Sequence, residues 1–392
     1  MYNELNIDLK AMENRKKVIG YVSRNDPFTD RRAWSGTIFK IREGIENAGF
    51  EVKWICSRPS KIRKFIYSCF VKPLYKNIKK NYNRYYCQIC AQSIKKEDYK
   101  GCDYLFVPCN ACLLPYLPKD LPKIVYKDTT HNLMVGYYWK KKMSSRTIKH
   151  GDECEHIGIH QSTLCLLSSR WAANSVIKDY GFDQKKTYVI EFGANIDDRD
   201  LVPSMSKYVK GECVNILFSG VEWQRKGGDI AVETVRLLNE QGIKAKLFIV
   251  GIKNLLKQYE DLPYIEYVGF LNKNAPEQYN RYVRLWKEAN IFLLPTRAEC
   301  SAIVYCEASA YGVPIFTYDT GGTGDYVIDG VNGYKLPLSS SAADFADCIK
   351  RNLDATLLQA LHNGGLKLYR DKLSWPAWSR RFREIMKENG MI

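Results

Sequence analysis

The sequence has few histidines and no long apolar run. Only five His occur among 392 residues, so acid-base or metal chemistry built on histidine has few candidates. No window reaches the roughly eighteen uninterrupted apolar residues that a membrane-spanning helix needs. The polar start MYNELNIDLKAMENRKK also lacks the apolar core of a signal peptide. We therefore expect a cytoplasmic protein.

Acidic residues are scarce in the first half of the chain. Residues 1–200 contain 35 Lys and Arg against 22 Asp and Glu, whereas the remainder contains 24 against 21. This excess of positive charge indicates an anionic partner for the first half. Nucleic acid, an anionic membrane surface and a phosphorylated small molecule would each fit, and the charge alone does not choose among them.

The thirteen cysteines are odd in number and lie in apolar runs such as TLCLLSS and GECVNILF, which indicates reduced thiols and no disulfides. The pairs Cys87-x2-Cys90 and Cys109-x2-Cys112 have a spacing that a four-cysteine zinc site could use. Their apolar, helix-like surroundings favour core thiols instead.

A second metal signal is the pair Asp198 and Asp200, because paired carboxylates bridge a divalent ion to diphosphate in some transferases. It lies in an irregular polar stretch between two domains, which favours a solvated turn. We expect neither a metal nor another cofactor.

Short apolar runs alternate with helical patterns along the whole chain, from VIGYV near the start to GYKLP near residue 335. This rhythm predicts an α/β protein of two Rossmann-like, doubly wound domains facing each other across a cleft. We expect the first domain over residues 1–196, with a basic helical insertion at 60–100. The second domain is expected over 197–375, and a helix at 376–392 should pack back toward the first.

Two carboxylates, Glu299 and Glu307, follow the buried run IFLLP. The segment TRAE reads as a loop and residues 301–311 as a helix, which would place the two acids roughly 12 Å apart along its axis. The free amides near Ser301, Ala302 and Ile303 would begin that helix and could seat a phosphate. The alternative is that one acid is a solvated loop residue and the other an exposed helix residue.

Three further stretches have residues suited to anion binding. In FSGVEWQRKGGDI, Arg225 and Lys226 precede two glycines that open a helix, an arrangement suited to a pyrophosphate leaving group or to an ordinary surface turn. In DTGGTGDYVIDGVNGYKLP, paired glycines follow a strand and allow close approach to a ligand. In RRAWSGTIFKI, the segment around Gly36 opens a helix, as a phosphate nest or a simple cap.

Four elements occur in the order WSGT, RKGG, E-x7-E and GG-x2-D-x-V-x-DG-x-NG, and together they resemble the retaining glycosyltransferases of family 4, which have the GT-B fold. The resemblance is strongest over residues 214–337 and weaker over 167–195. It implies that Glu299 contacts hydroxyls of the donor sugar, Glu307 holds the ribose hydroxyls, and Lys226 binds the diphosphate beside Arg225. One departure is Val221, which stands where many members have an Arg, so that either Arg225 substitutes for it or the diphosphate is bound more weakly.

The resemblance also implies that Ala302 and Ile303 offer backbone amides to phosphate and that Gly36 approaches the diphosphate from the opposite domain. Many members place a His at the end of the strand that corresponds to KIVYK. Here Asp128 occupies that end and His131 lies three residues on, so either side chain could face the sugar.

This resemblance implies that the protein would be a hexosyltransferase-type enzyme that moves a sugar from a nucleotide diphosphate donor to a hydroxyl acceptor with retained configuration. The departing phosphate would take the acceptor proton, so no strong base is required. We expect a role in polysaccharide biosynthesis, with a lipid-linked or cell-surface glycan precursor as a candidate acceptor.

Residues 61–86 hold eight Lys or Arg and no acid, with Phe65, Ile66, Cys69 and Phe70 at helical spacing. This segment could lie on the inner face of an anionic membrane, or it could pack on the first domain and expose a solvated basic face. A function of another class remains open too: a non-enzymatic binder of nucleic acid or of an anionic membrane through the basic half. No nucleic-acid recognition motif accompanies the charge.

Overall fold

A computed structural model describes residues 15–139, 142–201, 208–209 and 211–392, with Asp198 described in its backbone only. The chain divides into two compact units. Unit 1 contains the described residues up to Leu167, together with Ala172–Ile190 and Ser379–Ile392. Unit 2 contains Ser168–Trp171 and the described residues from Glu191 to Trp378. The sequence placed the change between domains at residue 196.

Unit 1 is built on a six-stranded parallel sheet with the strand order β2-β1-β3-β4-β5-β6. Its strands are β1 (Val18–Ser23), β2 (Glu51–Cys56), β3 (Tyr104–Pro108), β4 (Lys123–Lys127), β5 (Leu164–Leu167) and β6 (Thr187–Val189). The central strands β3, β4 and β5 are buried along their whole length. Near-continuous apolar runs are typical of parallel strands that are covered on both faces.

Helices connect these strands, as a parallel sheet requires. They are α1 (Thr37–Asn47), α2 (Lys61–Ile66), α3 (Arg84–Ala91), α4 (His131–Met134), α5 (Ser145–His160) and α6 (Arg170–Lys178). Polar side chains cap several of them: the Ser60 hydroxyl accepts from a first-turn amide of α2, and the Ser144 hydroxyl does so for α5. The expected basic insertion is therefore helical, and it continues beyond α2 through a π-helical turn, Tyr67–Val71, and a 3-10 turn, Lys72–Leu74.

Unit 2 is also built on a six-stranded parallel sheet, with the strand order β12-β11-β10-β7-β8-β9. Its strands are β7 (Val214–Ser219), β8 (Ala245–Val250), β9 (Ile265–Gly269), β10 (Ile291–Leu294), β11 (Ile315–Tyr318) and β12 (Gly333–Leu336). The helices between and after them are α7 (Trp223–Lys226), α8 (Gly228–Glu240), α9 (Pro276–Glu288), α10 (Ile303–Ala310), α11 (Ala342–Asn352) and α12 (Ala355–Asp371).

The last helix, α13, spans Trp375–Glu388, and its residues from Ser379 onward belong to unit 1. There the ring of Phe382 packs on Phe50 and Phe106, with ring centroids 5.5 and 6.0 Å apart. An Arg383 guanidinium nitrogen donates to the Ala48 carbonyl at 2.7 Å. The end of the chain therefore contributes to the core of unit 1.

The strand order creates a reversal point in each sheet. In unit 2 the chain runs from β7 through β8 to β9, then crosses to the other side of β7 to form β10. The loops at the carboxyl ends of β7 and β10 therefore diverge to opposite faces, which leaves a crevice where ligands of doubly wound sheets bind. In unit 1 the corresponding point lies between β1 and β3.

All thirteen cysteines lie within the described residues and are free thiols.

Across the described residues, none of the helices combines the length and the apolar character that crossing a bilayer would demand.

Candidate functional site

Two loops meet at the reversal point of unit 2. The turn α7 follows β7 and carries Arg225 and Lys226, and the TRAE loop follows β10. The Arg297 amide donates to the Arg225 carbonyl at 2.8 Å, and the Arg225 guanidinium donates to the Ala298 carbonyl at 3.0 Å. These bonds hold the two loops together as one structure.

Gly227 permits this contact. Its φ of 73° lies in the left-handed region that side chains rarely adopt, and a Cβ at this position would lie 2.0 Å from the Pro295 carbonyl oxygen. The glycine therefore lets the RKGG turn press against the end of β10. It also serves as the N-cap of α8.

The side chains of Arg225, Lys226 and Glu299 form a buried charged cluster. The Lys226 ammonium donates a hydrogen bond to Glu299 Oε2, and the Arg225 guanidinium lies 3.6 Å from the same oxygen. Arg225 also donates to the more exposed Glu222 at 3.0 Å. Charges that leave water need partners. The cluster shows that the RKGG segment is not a solvated surface turn and that Glu299 is not a solvated loop residue.

The glycine-rich turn after β11 contacts the backbone of the loop that carries Glu299. The Gly322 amide donates to the Glu299 carbonyl at 3.0 Å. A Cβ on Gly322 would lie 1.9 Å from the Cys300 carbonyl oxygen, so only glycine fits this close approach. Three segments that are separate in the sequence thus fix the backbone around Glu299.

Glu307 lies on α10 and is fully buried, at 0% exposure. Its Oε2 accepts from the Tyr282 hydroxyl at 2.5 Å, and its Oε1 pairs with the Lys273 ammonium at 2.6 Å. Burial, and next the negative charge of Glu307, raise the pKa of Tyr282 well above its ordinary value, so the phenol keeps its proton and donates it. The alternative reading of Glu307 as an exposed helix residue is wrong.

The helix that carries Glu307 is shorter than the sequence predicted. It begins at Ile303, with Ala302 as an extended N-cap, rather than at residue 301. The Ser301 hydroxyl instead bonds to the Ser168 hydroxyl at 2.6 Å and to the Cys300 carbonyl at 2.7 Å. Serine readily competes for backbone groups in this way at helix starts. The estimate of roughly 12 Å between the acids assumed a helical rise over all eight positions, whereas the helix covers only the part from Ile303 onward.

In unit 1, Asp128 stands directly after β4 and is half-buried. The Trp34 indole nitrogen donates to Asp128 Oδ2 at 3.3 Å. Trp34, Ser35 and Gly36 are three successive left-handed residues, with φ values of 51°, 57° and 90°. Such strain in non-glycine residues costs about 1–3 kcal/mol each and often occurs at functional sites. The WSGT segment is therefore a strained turn before α1, rather than an ordinary helix cap.

The ring of His131 is enclosed within unit 1. Its Nδ1 is 2.7 Å from Asp152 Oδ1, and the rings of Tyr82 and Trp139 lie at centroid distances of 5.0 and 5.5 Å. Its Nε2 abuts Gly151, where a Cβ would approach it to 2.2 Å. With only 1% of the residue exposed, His131 has no open face for a sugar, whereas Asp128 is partly exposed.

The structure brings some of the predicted site residues together and separates others. Arg225, Lys226 and Glu299 form one cluster, while Glu307 forms another with Lys273 and Tyr282. Lys273 and Tyr282 were not among the site residues predicted from the sequence. One feature of the sequence could have identified Lys273 as a site residue: it follows β9, at the carboxyl edge where ligands of such sheets bind. Tyr282 has no such feature, because a Tyr within a helix is usually read as core.

The two metal signals have ordinary surroundings. The Asp200 carboxylate accepts from the Tyr279 hydroxyl at 2.8 Å, whereas the Asp198 side chain lies outside the described residues. Burial raises the pKa of the Cys87 and Cys112 thiols well above their ordinary value. Among the described residues no cluster of three or more His, Cys, Asp or Glu is arranged to hold a metal ion.

Comparison with known proteins gives a family match for unit 2. Residues 213–355 match the family described as "Glycosyl transferases group 1". The chain is 21% identical to the capsular polysaccharide biosynthesis glycosyltransferase CapM of Staphylococcus aureus over 252 residues, 60% of this chain and 65% of that protein. The chain spans about half the length of other curated relatives that it matches, 48% and 54%.

Solved structures resemble the whole chain. A sucrose-phosphate synthase from Thermosynechococcus elongatus gives a TM-score of 0.71 at 16% identity, covering 96% of this chain and 100% of that one. Anabaena Alr3699/HepE, solved in complex with UDP and glucose, gives 0.59 at 12% identity, covering 95% and 100%. The expected GT-B fold is thus confirmed, and unit 2 carries a glycosyltransferase domain, as the resemblance implied.

Proposed function

We propose that this protein is a retaining glycosyltransferase that moves a sugar from a nucleotide diphosphate donor to a hydroxyl acceptor. One observation carries the proposal: a buried lysine, arginine and glutamate converge at the carboxyl ends of β7 and β10. That edge is where doubly wound sheets bind their ligands.

Lys226 and Arg225 are assigned to the donor diphosphate. Without donor, the Glu299 carboxylate pairs with the Lys226 ammonium and lies 3.6 Å from the Arg225 guanidinium, which offsets part of their positive charge. A diphosphate would take over the Lys226 ammonium, and this exchange would release Glu299 to accept hydrogen bonds from hydroxyls of the donor sugar. The amides of Ala302 and Ile303 at the start of α10 would add donors to the phosphate.

Glu307 is assigned to the ribose hydroxyls. Its two oxygens now accept from Tyr282 and Lys273, and these two contacts differ in exposure. Tyr282 is buried, whereas 37% of the Lys273 side chain is exposed. Ribose hydroxyls would replace Lys273 on Oε1, while the Tyr282 bond would keep the carboxylate in position.

The chemistry follows from the leaving group. As the bond from the anomeric carbon to the phosphate oxygen breaks, negative charge grows on the diphosphate, and Lys226 and Arg225 stabilise it. The acceptor hydroxyl attacks the face that the phosphate leaves, and the phosphate oxygen takes the hydroxyl proton. From unit 1, Gly36 is assigned to the diphosphate, as the resemblance implies, and Asp128 is assigned to donor hydroxyls, at the strand end where many family members have a His. His131 is enclosed and has no assigned role. No metal is required.

The acceptor is proposed to be a lipid-linked or cell-surface glycan precursor in polysaccharide biosynthesis. The name of the Staphylococcus aureus relative supports this class of product. A lipid-linked acceptor would bring a cytoplasmic enzyme to the inner face of the membrane, which suits the positive charge of the first half.

Donor turnover tests the proposal. Purified protein should release free nucleotide diphosphate from one member of a panel of nucleotide sugars, and NMR of the product should show the anomeric configuration of the donor. Lys226→Ala should reduce this turnover, whereas Lys257→Ala, a change at an exposed lysine of the same unit, should not. If no donor turns over and the chain binds RNA through its basic half, the non-enzymatic alternative is correct.

A further inference from the structure

Unit 1 displays a row of apolar side chains to solvent along α2 and the two turns that follow it. Ile62, Phe65, Ile66, Phe70 and Leu74 are 74%, 66%, 49%, 70% and 55% exposed. We name these five residues the apolar ridge. Single exposed apolar residues are ordinary, but a contiguous set that includes two phenylalanines indicates a surface that meets a nonaqueous partner.

Two buried tyrosines of the same segment fix the orientation of the ridge toward solvent. Tyr67 is buried and packs its ring 5.0 Å from that of Tyr86. Tyr75, also buried, packs 4.3 Å from the ring of His150. The segment therefore turns its amphipathic tyrosines toward the protein and its purely apolar side chains toward solvent. A helix packed on a water-soluble domain has the opposite orientation, with its apolar side chains toward the domain core and its polar side chains toward solvent.

Positive charge surrounds the ridge. Residues 61–86 contain eight Lys or Arg and no acid. Among the described residues, the single carboxylate that pairs with any of them is Glu153, which lies 3.1 Å from Arg84. Lys61, Lys64, Lys72 and Lys76 are exposed beside the apolar residues. A partner that covers the ridge must therefore also bring negative charge.

We propose that the apolar ridge docks on a lipid bilayer that contains anionic lipids. A bilayer interface offers acyl chains for the phenylalanines and anionic headgroups for the lysines at the same time. A second copy of the chain would bring eight more cations against these eight. A nucleic acid duplex would pair its phosphates with the lysines and leave the phenylalanines in water, because its bases are already stacked on one another. Docking is independent of the proposed sugar transfer, and only its use, to reach a lipid-linked acceptor, rests on that function.

Vesicle sedimentation tests the docking. The full chain should sediment with vesicles of phosphatidylglycerol and phosphatidylethanolamine but not with phosphatidylcholine alone, and high salt should release it. Phe65→Ser with Phe70→Ser should weaken binding by tenfold or more, because two exposed rings lose their insertion into the interface. Lys61→Gln with Lys64→Gln should weaken it by about fivefold per charge. Leu338→Ser, at an exposed apolar residue of unit 2, is the matched control and should bind as the unaltered protein does.

Two exposed thiols allow a test that does not depend on binding strength. Cys69 lies within the ridge segment and Cys213 lies in unit 2, and both are exposed. A polarity-sensitive fluorophore on Cys69, in a Cys213→Ser variant, should shift to shorter wavelength when anionic vesicles are added. The same label on Cys213, in a Cys69→Ser variant, should not shift.

Three outcomes would overturn the docking proposal. The first is equal binding to neutral and anionic vesicles, and the second is no binding to either. The third is a dimer that dissociates on Phe65→Ser with Phe70→Ser. Donor turnover in solution separates this proposal from the proposed function. The variant with both Phe65→Ser and Phe70→Ser should turn over donor normally without vesicles. If the unaltered protein binds vesicles but turns over no donor, the proposed glycosyltransferase function is refuted and the docking proposal is not.

Discussion

Replacing Glu307 by Gln tests whether the buried carboxylate binds donor or only stabilises unit 2. The change keeps the shape of the side chain and removes its charge. The Tyr282 hydroxyl then donates at 2.5 Å to a neutral amide oxygen, and Lys273 loses its ionic partner.

A hydrogen bond to a charged group contributes about 1.5–3 kcal/mol and a neutral one about 0.5–1.5 kcal/mol, so the Tyr282 bond weakens by about 1–1.5 kcal/mol. The Lys273 side chain is 37% exposed, which screens its ion pair to about 0.2–1 kcal/mol. The sum is about 2 kcal/mol, which would lower the melting temperature of a unit of this size by about 4–8 °C.

Lys273→Gln is the matched control, because it removes the same ion pair from the other side. It should lower the melting temperature by at most about 4 °C. If Glu307 contacts the ribose, kcat/KM for donor hydrolysis should fall tenfold or more in Glu307→Gln, while Lys273→Gln should stay within about threefold of the unaltered enzyme. Equal losses of kcat/KM in both variants, or a rate near that of the unaltered enzyme in Glu307→Gln, would refute the ribose assignment.

Other substitutions test the remaining contacts. Lys226→Ala should lower donor turnover tenfold or more, the loss of about one charge-assisted bond, and unchanged kinetics would contradict its diphosphate role. Gly227→Ala should lower the free energy of unfolding, measured by chemical denaturation, by at least about 2 kcal/mol. Gly242 has a similar positive φ but open surroundings, so Gly242→Ala should lower it by less. Equal losses in the two variants would mean that the contact of Gly227 with the end of β10 is unimportant. Trp34→Phe should raise the donor KM if the indole positions Asp128, and an unchanged KM would limit this bond to a structural role. Burial, and next the positive charge of Arg84, lower the pKa of His150 in the folded protein. As the pH falls, His150 therefore takes up a proton in the unfolded chain before it does so in the folded one. The free energy of unfolding should thus decrease as the pH drops below about 6.5. Melting curves of His150→Gln should lose that part of the slope; an identical slope would contradict it.

Much of the architecture was predictable from local patterns. The apolar runs that became β3, β4 and β10 are buried on both faces, and parallel sheets require such runs. Their alternation with helices then predicts two doubly wound sheets. The RKGG turn and the TRAE loop were also recognisable, because strand ends in this fold carry ligand-binding residues.

The partners of those residues were not predictable. Nothing in the sequence says that Glu299 shares a hydrogen bond with Lys226, 73 positions earlier, or that Glu307 accepts from Tyr282 and Lys273. The start of α10 was also misplaced, since the bond between the Ser301 and Ser168 hydroxyls joins residues 133 positions apart.

The sequence by itself determined the two doubly wound domains, their parallel sheets and the basic, apolar character of residues 61–86, because these depend on composition and on the period of apolar residues. Only the tertiary structure decided which charges are buried together, that His131 is enclosed while Asp128 is not, and that the phenylalanines of the apolar ridge face solvent. These outcomes depend on strand order and on contacts between distant segments, and periodicity along the chain carries no information about either.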